Sequence, residues 1–205
     1  MQIRNHHVFK EYDIRGVADR DLPDELVTAI GKAFGTYVRR QTKKPSPRIA
    51  VGRDVRLSSP KLHQALVKGL METGSQVTDL GLTPTPVVYF SLFHLPVDGA
   101  IQITGSHNPK EFNGFKLCHN KTTLFGQQIQ EIRHLVEHDD FEKGTGWQDE
   151  YPILEAYCQH QLKRHAVLPK SPRPLNVVVD AGNGTAGLLF PGLLKNLGCH
   201  VTELF

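Results

Sequence analysis

The chain contains few of the residues that cross-link small secreted or metal-dependent folds. It has 3 cysteines in 205 residues, Cys118, Cys158 and Cys199, and no Cys-x-x-Cys spacing. An odd, scattered set favours reduced thiols over a disulfide framework or a zinc site. The 11 histidines include no His-Glu-x-x-His motif, so we expect surface or packing roles for them.

Long apolar runs and a strong excess of charge are also missing. No segment approaches the length that crosses a bilayer, and residues 1–7 lack a signal-peptide core. A net charge of +3 is too small to indicate a nucleic-acid partner. With 39% hydrophobic and 22% charged residues, the composition is typical of a soluble globular protein. We therefore expect a cytoplasmic protein with no membrane and no nucleic-acid partner.

Strand-like and helix-like segments alternate along the first two thirds of the chain. This alternation predicts a three-layer α/β/α sandwich with a mostly parallel mixed sheet, and it leaves the strand order open. Apolar periodicity predicts strands at 49–51, 77–79, 100–103 and 114–118, and helices at 25–40, 61–73, 83 to about 93, and 127–137.

A polar stretch at 139–150, with glycines at 144 and 146, predicts a domain boundary. We place a first domain at 1–145 and a second at 146–205. The second is predicted to hold a helix at 152–166, a break at 169–174, a strand at 177–179, a helix after the Gly-Asn-Gly turn, and a strand at 199–204. Two strands make half a sheet, so we expect an incomplete second α/β domain and a chain that is a piece of a longer protein.

The strand predicted at 100–103 runs into Thr-Gly-Ser-His-Asn-Pro at 104–109. Gly105 permits a tight turn or the close approach of a ligand, and Pro109 keeps Asn108 extended. In open α/β sheets, ligands collect outside the carboxyl ends of strands. Ser106 is therefore a candidate functional residue, although serine, asparagine, proline and glycine are also ordinary turn residues.

Phosphoryl chemistry suits this serine better than acyl transfer. A hydrolase elbow needs Gly-x-Ser-x-Gly, but Thr104 and Asn108 occupy the outer positions. We expect His107 to be a poor base for Ser106, because adjacent side chains of an extended segment point to opposite faces. A phosphorylated serine needs cations around it, and Lys110 and Lys116 follow in the sequence.

Two further charged loops indicate an anionic ligand. Residues 9–16 hold Lys10, Tyr12 and Arg15, and Arg53 and Arg56 follow the strand predicted at 49–51. Arginine matches phosphate oxygens with two parallel hydrogen bonds, whereas lysine acts as a point charge. Each loop alone is weak support, because charged loop residues are usually solvated.

Four segments resemble, in order, the first domain of the α-D-phosphohexomutase family: residues 9–16, 51–56, 83–86 and 104–109. Residues 177–187 resemble the beginning of its second domain. The Tyr-Asp-Ile-Arg-Gly and Thr-Gly-Ser motifs are most similar to the phosphomannomutase/phosphoglucomutase branch. The phosphoglucosamine mutase branch typically has Gly-Thr-Asp-Gly-Ile-Arg-Gly at the first of these positions.

The resemblance implies that Ser106 is phosphorylated, donates its phosphoryl group to a hexose phosphate and recovers one from a bisphosphorylated intermediate. It implies catalytic roles beside Ser106 for Arg15, His107 and Lys116. Lys116 is our first choice as the cation or general acid/base at the reacting hydroxyl, and His107 is the second. The expected substrate-binding residues are Lys10, Tyr12, Arg53 and Asn108.

The family also uses Mg²⁺, bound by the phosphoserine and by three aspartates of an Asp-Gly-Asp-x-Asp-Arg loop in the second domain. This sequence lacks that loop. The carboxylate pairs at 139–140 and 149–150 lack its glycine spacing and are better interpreted as solvated charge. Ser106, as phosphoserine, is therefore the one metal ligand expected here.

The implied partners are a phosphosugar, a hexose 1,6-bisphosphate activator and the missing C-terminal domains of the same enzyme. Without those domains we expect the 205-residue chain to have no appreciable mutase activity. The sequence leaves open whether the hexose is mannose, glucose or both. Two alternatives also remain open, a non-catalytic phosphosugar-binding or interaction domain and, with a poorer motif match, a serine hydrolase.

Overall fold

One mixed sheet organises most of the chain. The computed structural model describes residues 6–166 and 173–205. In the first range the strand order is β1-β5-β4-β2-β3-β7, with β6 paired to β5. These strands are β1 (Ile14–Val17), β2 (Arg48–Arg53), β3 (Gln76–Leu82), β4 (Gly99–Ile103), β5 (Phe112–His119), β6 (Thr122–Thr123) and β7 (Gln148–Glu150).

The helices of this first range complete the alternation expected from the sequence. Each long helix falls within a few residues of its predicted position. They are α1 (Ala18–Asp21), α2 (Asp24–Thr42), α3 (Ser59–Glu72), α4 (Thr85–His94), α5 (Gln127–Glu137) and α6 (Ile153–His165), and a short 3-10 turn (His6–Val8) precedes β1.

The sheet changes direction at the segment that carries Ser106. β2, β3, β4 and β7 pair in parallel, whereas β5 is antiparallel to both β4 and β1. The antiparallel pairing places Gln102 of β4 opposite Lys116 of β5. The loop between β4 and β5 therefore returns directly into the same sheet, so residues that precede and follow Ser106 lie side by side.

Helices cover both faces of the sheet. One face packs against α2, α3 and α5 through fully buried residues that include Phe34, Leu66 and Ile101. The other packs against α4 and α6 around Ala100 and Ile153. Successive residues of a strand point to opposite faces, which is why Ala100 and Ile101 belong to different cores. The predicted three-layer α/β/α fold with a mixed sheet is confirmed.

The polar stretch at 139–150 is not only a connection. Gln148–Glu150 forms the edge strand β7, in which Gln148 pairs with Val77 and Glu150 with Asp79 of β3. Three polar residues at an exposed edge show no apolar alternation, so periodicity does not indicate a strand there. The division into domains at 145 and 146 stays a prediction.

Residues 173–205 form a separate two-stranded parallel sheet with one helix. The elements are β8 (Asn176–Asp180), a 3-10 turn (Thr185–Leu188), α7 (Phe190–Asn196) and β9 (His200–Leu204). The predicted strands are present, but the single helix expected after the Gly-Asn-Gly turn is a 3-10 turn followed by α7. The predicted break at 169–174 lies mostly outside the described residues. Large apolar side chains are exposed throughout this unit: Leu175, Val178, Leu188, Phe190, Leu197, Leu204 and Phe205.

In both described ranges, no helix is long and apolar enough to span a membrane.

Two glycines allow α2 and α3 to approach with their backbones almost in contact. A Cβ atom on Gly69 of α3 would lie 2.1 Å from the carbonyl oxygen of Thr28, and one on Gly31 of α2 would lie 2.3 Å from that of Leu66. Backbone atoms cannot move aside as a flexible side chain can. The packing of these two helices therefore requires glycine at both positions.

We expect Gly69→Ala to lower the free energy of unfolding by at least about 1 kcal/mol, because overpacking outweighs the higher helix propensity of alanine. Urea denaturation measures the change. Gly192→Ala is the matched control, because a Cβ on this helical glycine meets no atom within 4 Å. A Gly69→Ala chain as stable as the wild type would contradict the close helix contact.

Candidate active site

Ser106 lies in a left-handed turn at the carboxyl end of β4. Its φ is 53°, its side chain is exposed, and its N–H donates to Thr104 Oγ1 over 2.9 Å. A non-glycine residue adopts this conformation only when its surroundings hold it there. We call residues 104–112 the serine loop.

The expectation that His107 faces away from Ser106 is wrong. Ser106 Oγ lies 3.1 Å from His107 Nδ1. The expectation assumed an extended segment, but the left-handed φ of Ser106 turns the chain and brings the adjacent side chains together. His107 is therefore within hydrogen-bond reach of the hydroxyl.

Asp54 joins the serine loop to the end of β2. Its Oδ2 accepts the N–H of Gly105 over 3.0 Å, and its Oδ1 accepts the Ser59 hydroxyl over 2.6 Å and the N–H of Arg56 over 3.1 Å. The residue is 8% exposed. This nearly buried carboxylate accepts three hydrogen bonds and thereby links the serine loop to the end of β2 and the start of α3.

Arg56 binds the carbonyl groups of the serine loop. Its Nη1 donates to Pro109 O over 2.6 Å and to Phe112 O over 3.0 Å. Its Nη2 donates to Ser106 O over 3.1 Å and to Asn108 O over 2.6 Å. Sequence reasoning did not select Arg56 as a site residue. The available signal was a second arginine in the loop that directly follows the buried strand, two residues after Asp54.

Arg53, which the sequence suggested as a substrate ligand, is the last residue of β2 and does not line the cleft beside Ser106. Its charge acts on Asp79 instead. Burial tends to raise the pKa of Asp79, but hydrogen bonds from His63 and Gly81 and the charges of His63 and Arg53 hold it below its usual value.

Arg15 and Lys116 meet at Asp13. Arg15 donates to Asp13 Oδ2 through Nε over 3.2 Å, and Lys116 Nζ lies 3.5 Å from the same oxygen. Arg15 Nη1 also donates to Gly105 O over 2.9 Å, so the pair adjoins the serine loop. Asp13 is 8% exposed and was not among the predicted site residues. Its position between Lys10 and Arg15 in sequence was the signal that could have identified it.

The remaining predicted substrate ligands are less closely assembled. Asn108 lines the cleft, and its Nδ2 donates to Gly105 O over 3.1 Å. Lys10 and Tyr12 are exposed, Tyr12 by 70%, and neither lines the cleft. The backbone N–H of Lys10 donates to Asp13 O over 2.9 Å, which keeps this loop beside Asp13.

An open cleft of about 1000 Å³ lies beside the serine loop. Lys61 and Lys110 contribute cations to its wall, and Gly182 to Thr185, which include the Gly-Asn-Gly turn, line it as well. A cleft that combines cations with an exposed serine suits an anionic ligand such as a sugar phosphate.

The described ranges do not provide a magnesium ligand set. Within residues 6–166 and 173–205, no three or more His, Cys, Asp or Glu side chains are grouped to hold a metal ion. Asp140 forms hydrogen bonds with Arg40 over 2.8 Å at the surface. Mg²⁺ requires near-octahedral oxygen ligands, so Ser106 alone does not fit the ion.

The comparisons with known proteins agree with this arrangement. Residues 6–143 match the family model described as phosphoglucomutase/phosphomannomutase, alpha/beta/alpha domain I. The sheet and the helices on its two faces form the alpha/beta/alpha domain that this family model describes. The chain belongs to the phosphoglucomutase/phosphomannomutase family, as the resemblance of its motifs indicated.

Three relatives show how much of the family's length the chain spans. The phosphomannomutase/phosphoglucomutase of Pseudomonas aeruginosa is 40% identical over 198 residues, which cover 97% of this chain and 41% of the relative. A phosphoglucomutase of Neisseria gonorrhoeae is also 40% identical, over 97% of this chain and 42% of its own length. The crystal structure of a family protein from Burkholderia thailandensis matches with a TM-score of 0.88 and 41% identity, over 97% of this chain and 43% of that one.

Asp21 holds the turn that follows β1, the strand that carries Arg15. Its Oδ2 accepts the N–H of Val17 over 2.9 Å, and its Oδ1 accepts Arg20 Nε over 2.8 Å. The Arg20 hydrogen bond is the main reason that the pKa of Asp21 lies well below its usual range, and burial opposes this effect. Ionised Asp21 therefore stabilises the fold above the ordinary carboxyl pKa, and that stabilisation is lost as the pH falls through the lower folded value.

We expect Asp21→Asn to lower the free energy of unfolding at neutral pH by about 1–3 kcal/mol, the scale for a lost charged acceptor. The difference from the wild type should shrink below about pH 4, because the wild-type carboxyl group then loses its advantage. Urea denaturation across the acid range measures both. Asp24→Asn, at an exposed aspartate 3.3 Å from Lys61, is the control; a deficit for Asp21→Asn that does not change with pH would contradict the assignment.

Proposed function

We propose that the protein is a phosphohexomutase that interconverts hexose 1-phosphate and hexose 6-phosphate, with mannose, glucose or both as the sugar. Ser106 carries the phosphoryl group as phosphoserine. The observation that carries this proposal is the exposed Ser106, held in a left-handed turn at the strand end in a cleft that Lys61 and Lys110 also line. Family membership supports the same chemistry.

The reaction consists of two phosphoryl transfers at Ser106. A hydroxyl oxygen of the sugar monophosphate attacks the phosphorus of the phosphoserine and gives its proton to a base, while the bond from phosphorus to Ser106 Oγ breaks and Oγ takes a proton. The hexose 1,6-bisphosphate then presents its other phosphoryl group. Ser106 Oγ gives its proton to a base and attacks that phosphorus, the second sugar oxygen leaves and takes a proton, and the phosphoserine is restored.

Arg15 and Lys116 supply positive charge beside the reacting group. Phosphoryl transfer depends mainly on positioning and charge stabilisation. Asp13 Oδ2 lies 3.5 Å from Lys116 Nζ and holds the lysine beside Arg15. Lys116 is proposed as the cation or general acid/base at the sugar hydroxyl. His107, whose Nδ1 is 3.1 Å from Ser106 Oγ, is the second candidate to hold a proton.

The proposal assigns substrate contacts to Lys10, Tyr12, Arg53 and Asn108, with the best geometric support for Asn108, which lines the cleft. It includes Mg²⁺ as cofactor, a hexose 1,6-bisphosphate activator and a cytoplasmic location, each implied by the sequence resemblance or composition. Mg²⁺ neutralises phosphoryl charge when bound. Apart from the phosphoserine oxygens, its ligands must come from outside the described residues.

The chain spans about two fifths of the length of the relatives, so the proposal assigns the remaining sites to further domains of the same protein. We expect the isolated 205-residue chain to show no appreciable turnover in a coupled phosphoglucomutase assay with Mg²⁺ and glucose 1,6-bisphosphate. Family-like turnover by this chain alone would show that its site is already complete and would contradict the assignment of the remaining sites to further domains.

In the protein that carries the remaining domains, we expect Ser106→Ala to lower kcat/KM at least about 10⁴-fold, the scale for loss of a covalent carrier. Lys116→Ala should cost less, about 10²-fold, because other cations remain. The coupled assay measures both. Ser46→Ala, at an exposed loop serine distant in sequence, should leave activity unchanged. Wild-type turnover by Ser106→Ala would refute the assignment of Ser106 as the phosphoserine.

A further inference from the structure

Two arginines donate hydrogen bonds to five carbonyl groups of the serine loop. Arg15 binds Gly105 O. Arg56 binds four more, those of Ser106, Asn108, Pro109 and Phe112. We call the four contacts of Arg56 the carbonyl clamp.

The clamp matters because of the charge that Ser106 is proposed to carry. A phosphoserine bears close to two negative charges, and a backbone carbonyl oxygen turned toward it would repel it. Oxygens bound to a guanidinium group are not free to turn that way. The backbone of Ser106 is also in a conformation that an unsupported loop rarely keeps.

We propose that Arg56 is a positioning residue for the phosphoserine. By binding four carbonyl oxygens, it holds Ser106 in the left-handed conformation with Oγ exposed and keeps carbonyl dipoles out of the space of the phosphoryl group. The role toward phosphoserine rests on the proposed function, but the four contacts of the carbonyl clamp can be tested without measuring turnover.

The shape of the guanidinium group is essential to this role. Nη1 and Nη2 each reach two carbonyls, while Nε lies 3.4 Å from Asp54 Oδ2. Lysine offers the same charge from a single nitrogen and cannot reproduce the fork. Asp54 fixes the other side of the loop through the N–H of Gly105.

The absence of a side chain at Gly105 leaves space for the guanidinium group of Arg56. A Cβ atom at Gly105 would lie 2.3 Å from both Cζ and Nε of Arg56. The close approach that the sequence suggested at this glycine is therefore made by the arginine of the neighbouring loop. Packing against Gly105 places the guanidinium plane where it reaches carbonyls on both sides of Asn108.

The chain contains a matched arginine away from the cleft. Arg39 Nη1 donates to Thr73 O over 2.8 Å and to Lys143 O over 3.0 Å. It binds loop carbonyls as Arg56 does, but it does not line the cleft. Arg39→Lys and Arg39→Ala therefore control for the general loss of an arginine that binds backbone oxygens.

Hydrogen exchange of the 205-residue chain tests the clamp. In Arg56→Lys and Arg56→Ala, the amides of Asn108 and Phe112, which bond within the loop, should exchange at least about tenfold faster. Exchange in β4 and α2 should stay as in the wild type, and the Arg39 variants should leave the loop unchanged. Unchanged loop exchange, or faster exchange throughout the domain, would overturn the proposal.

Chemical rescue separates the guanidinium contacts from a general packing role. Millimolar guanidinium ion should restore loop protection in Arg56→Ala, whereas the same concentration of ammonium ion should not. Arg39→Ala should show no effect of guanidinium on the serine loop. Equal responses to the two ions would mean that charge alone supports the loop, which would overturn the proposed fork geometry.

Phosphoserine incorporated at position 106 during translation tests the positioning of the phosphoryl group. The wild-type background should give one sharp ³¹P resonance, and Arg56→Lys should give a broadened or shifted one. Identical spectra would overturn the positioning role. If the longer protein turns over without phosphoserine while the exchange results hold, the proposed function fails and the structural clamp remains.

Discussion

The carboxylate of Asp54 is the contact on which the site geometry depends. Parallel pairing of β2 and β4 brings their carboxyl ends together, and Asp54 then bonds to the N–H of Gly105. The same side chain binds the hydroxyl of Ser59 and so ties the first turn of α3 to the serine loop. Asn113 reinforces this junction through the hydroxyls of Ser58 and Ser59. The pairing of β2 with β4 and the position of α3 thus both fix the turn that contains Ser106.

The antiparallel strands bring the cations to that turn. β5 returns beside β4 and carries Lys116, and β1 adds to the far side of β5 and carries Arg15. Arg15 pairs with Gly114, where a Cβ would lie 2.1 Å from the carbonyl oxygen of Ile14. Residues separated by about a hundred positions therefore share Asp13. A purely parallel sheet would have required a long crossover between β4 and its next neighbour.

The sequence predicted those features that local patterning encodes. Periodic apolar residues located α2, α3 and α5, and the motif around Ser106 identified the family. The pattern did not reveal β7, whose residues are polar, or the contact between Ser106 and His107, which depends on a left-handed φ. It also did not distinguish Arg56 from Arg53. Arg53 ends β2, whereas Arg56 lies in the loop that follows, and the conformation of that loop determines which arginine reaches the serine loop.

The central claim is that Ser106 carries the phosphoryl group between the two sugar positions. Phosphopeptide mapping of the protein that carries the remaining domains tests it most directly, before and after incubation with excess hexose monophosphate. The account predicts one phosphate on the peptide that contains Ser106, and its loss as hexose bisphosphate appears. An active enzyme with Ser106 unmodified throughout, or with the transferable phosphate on another residue, would contradict it.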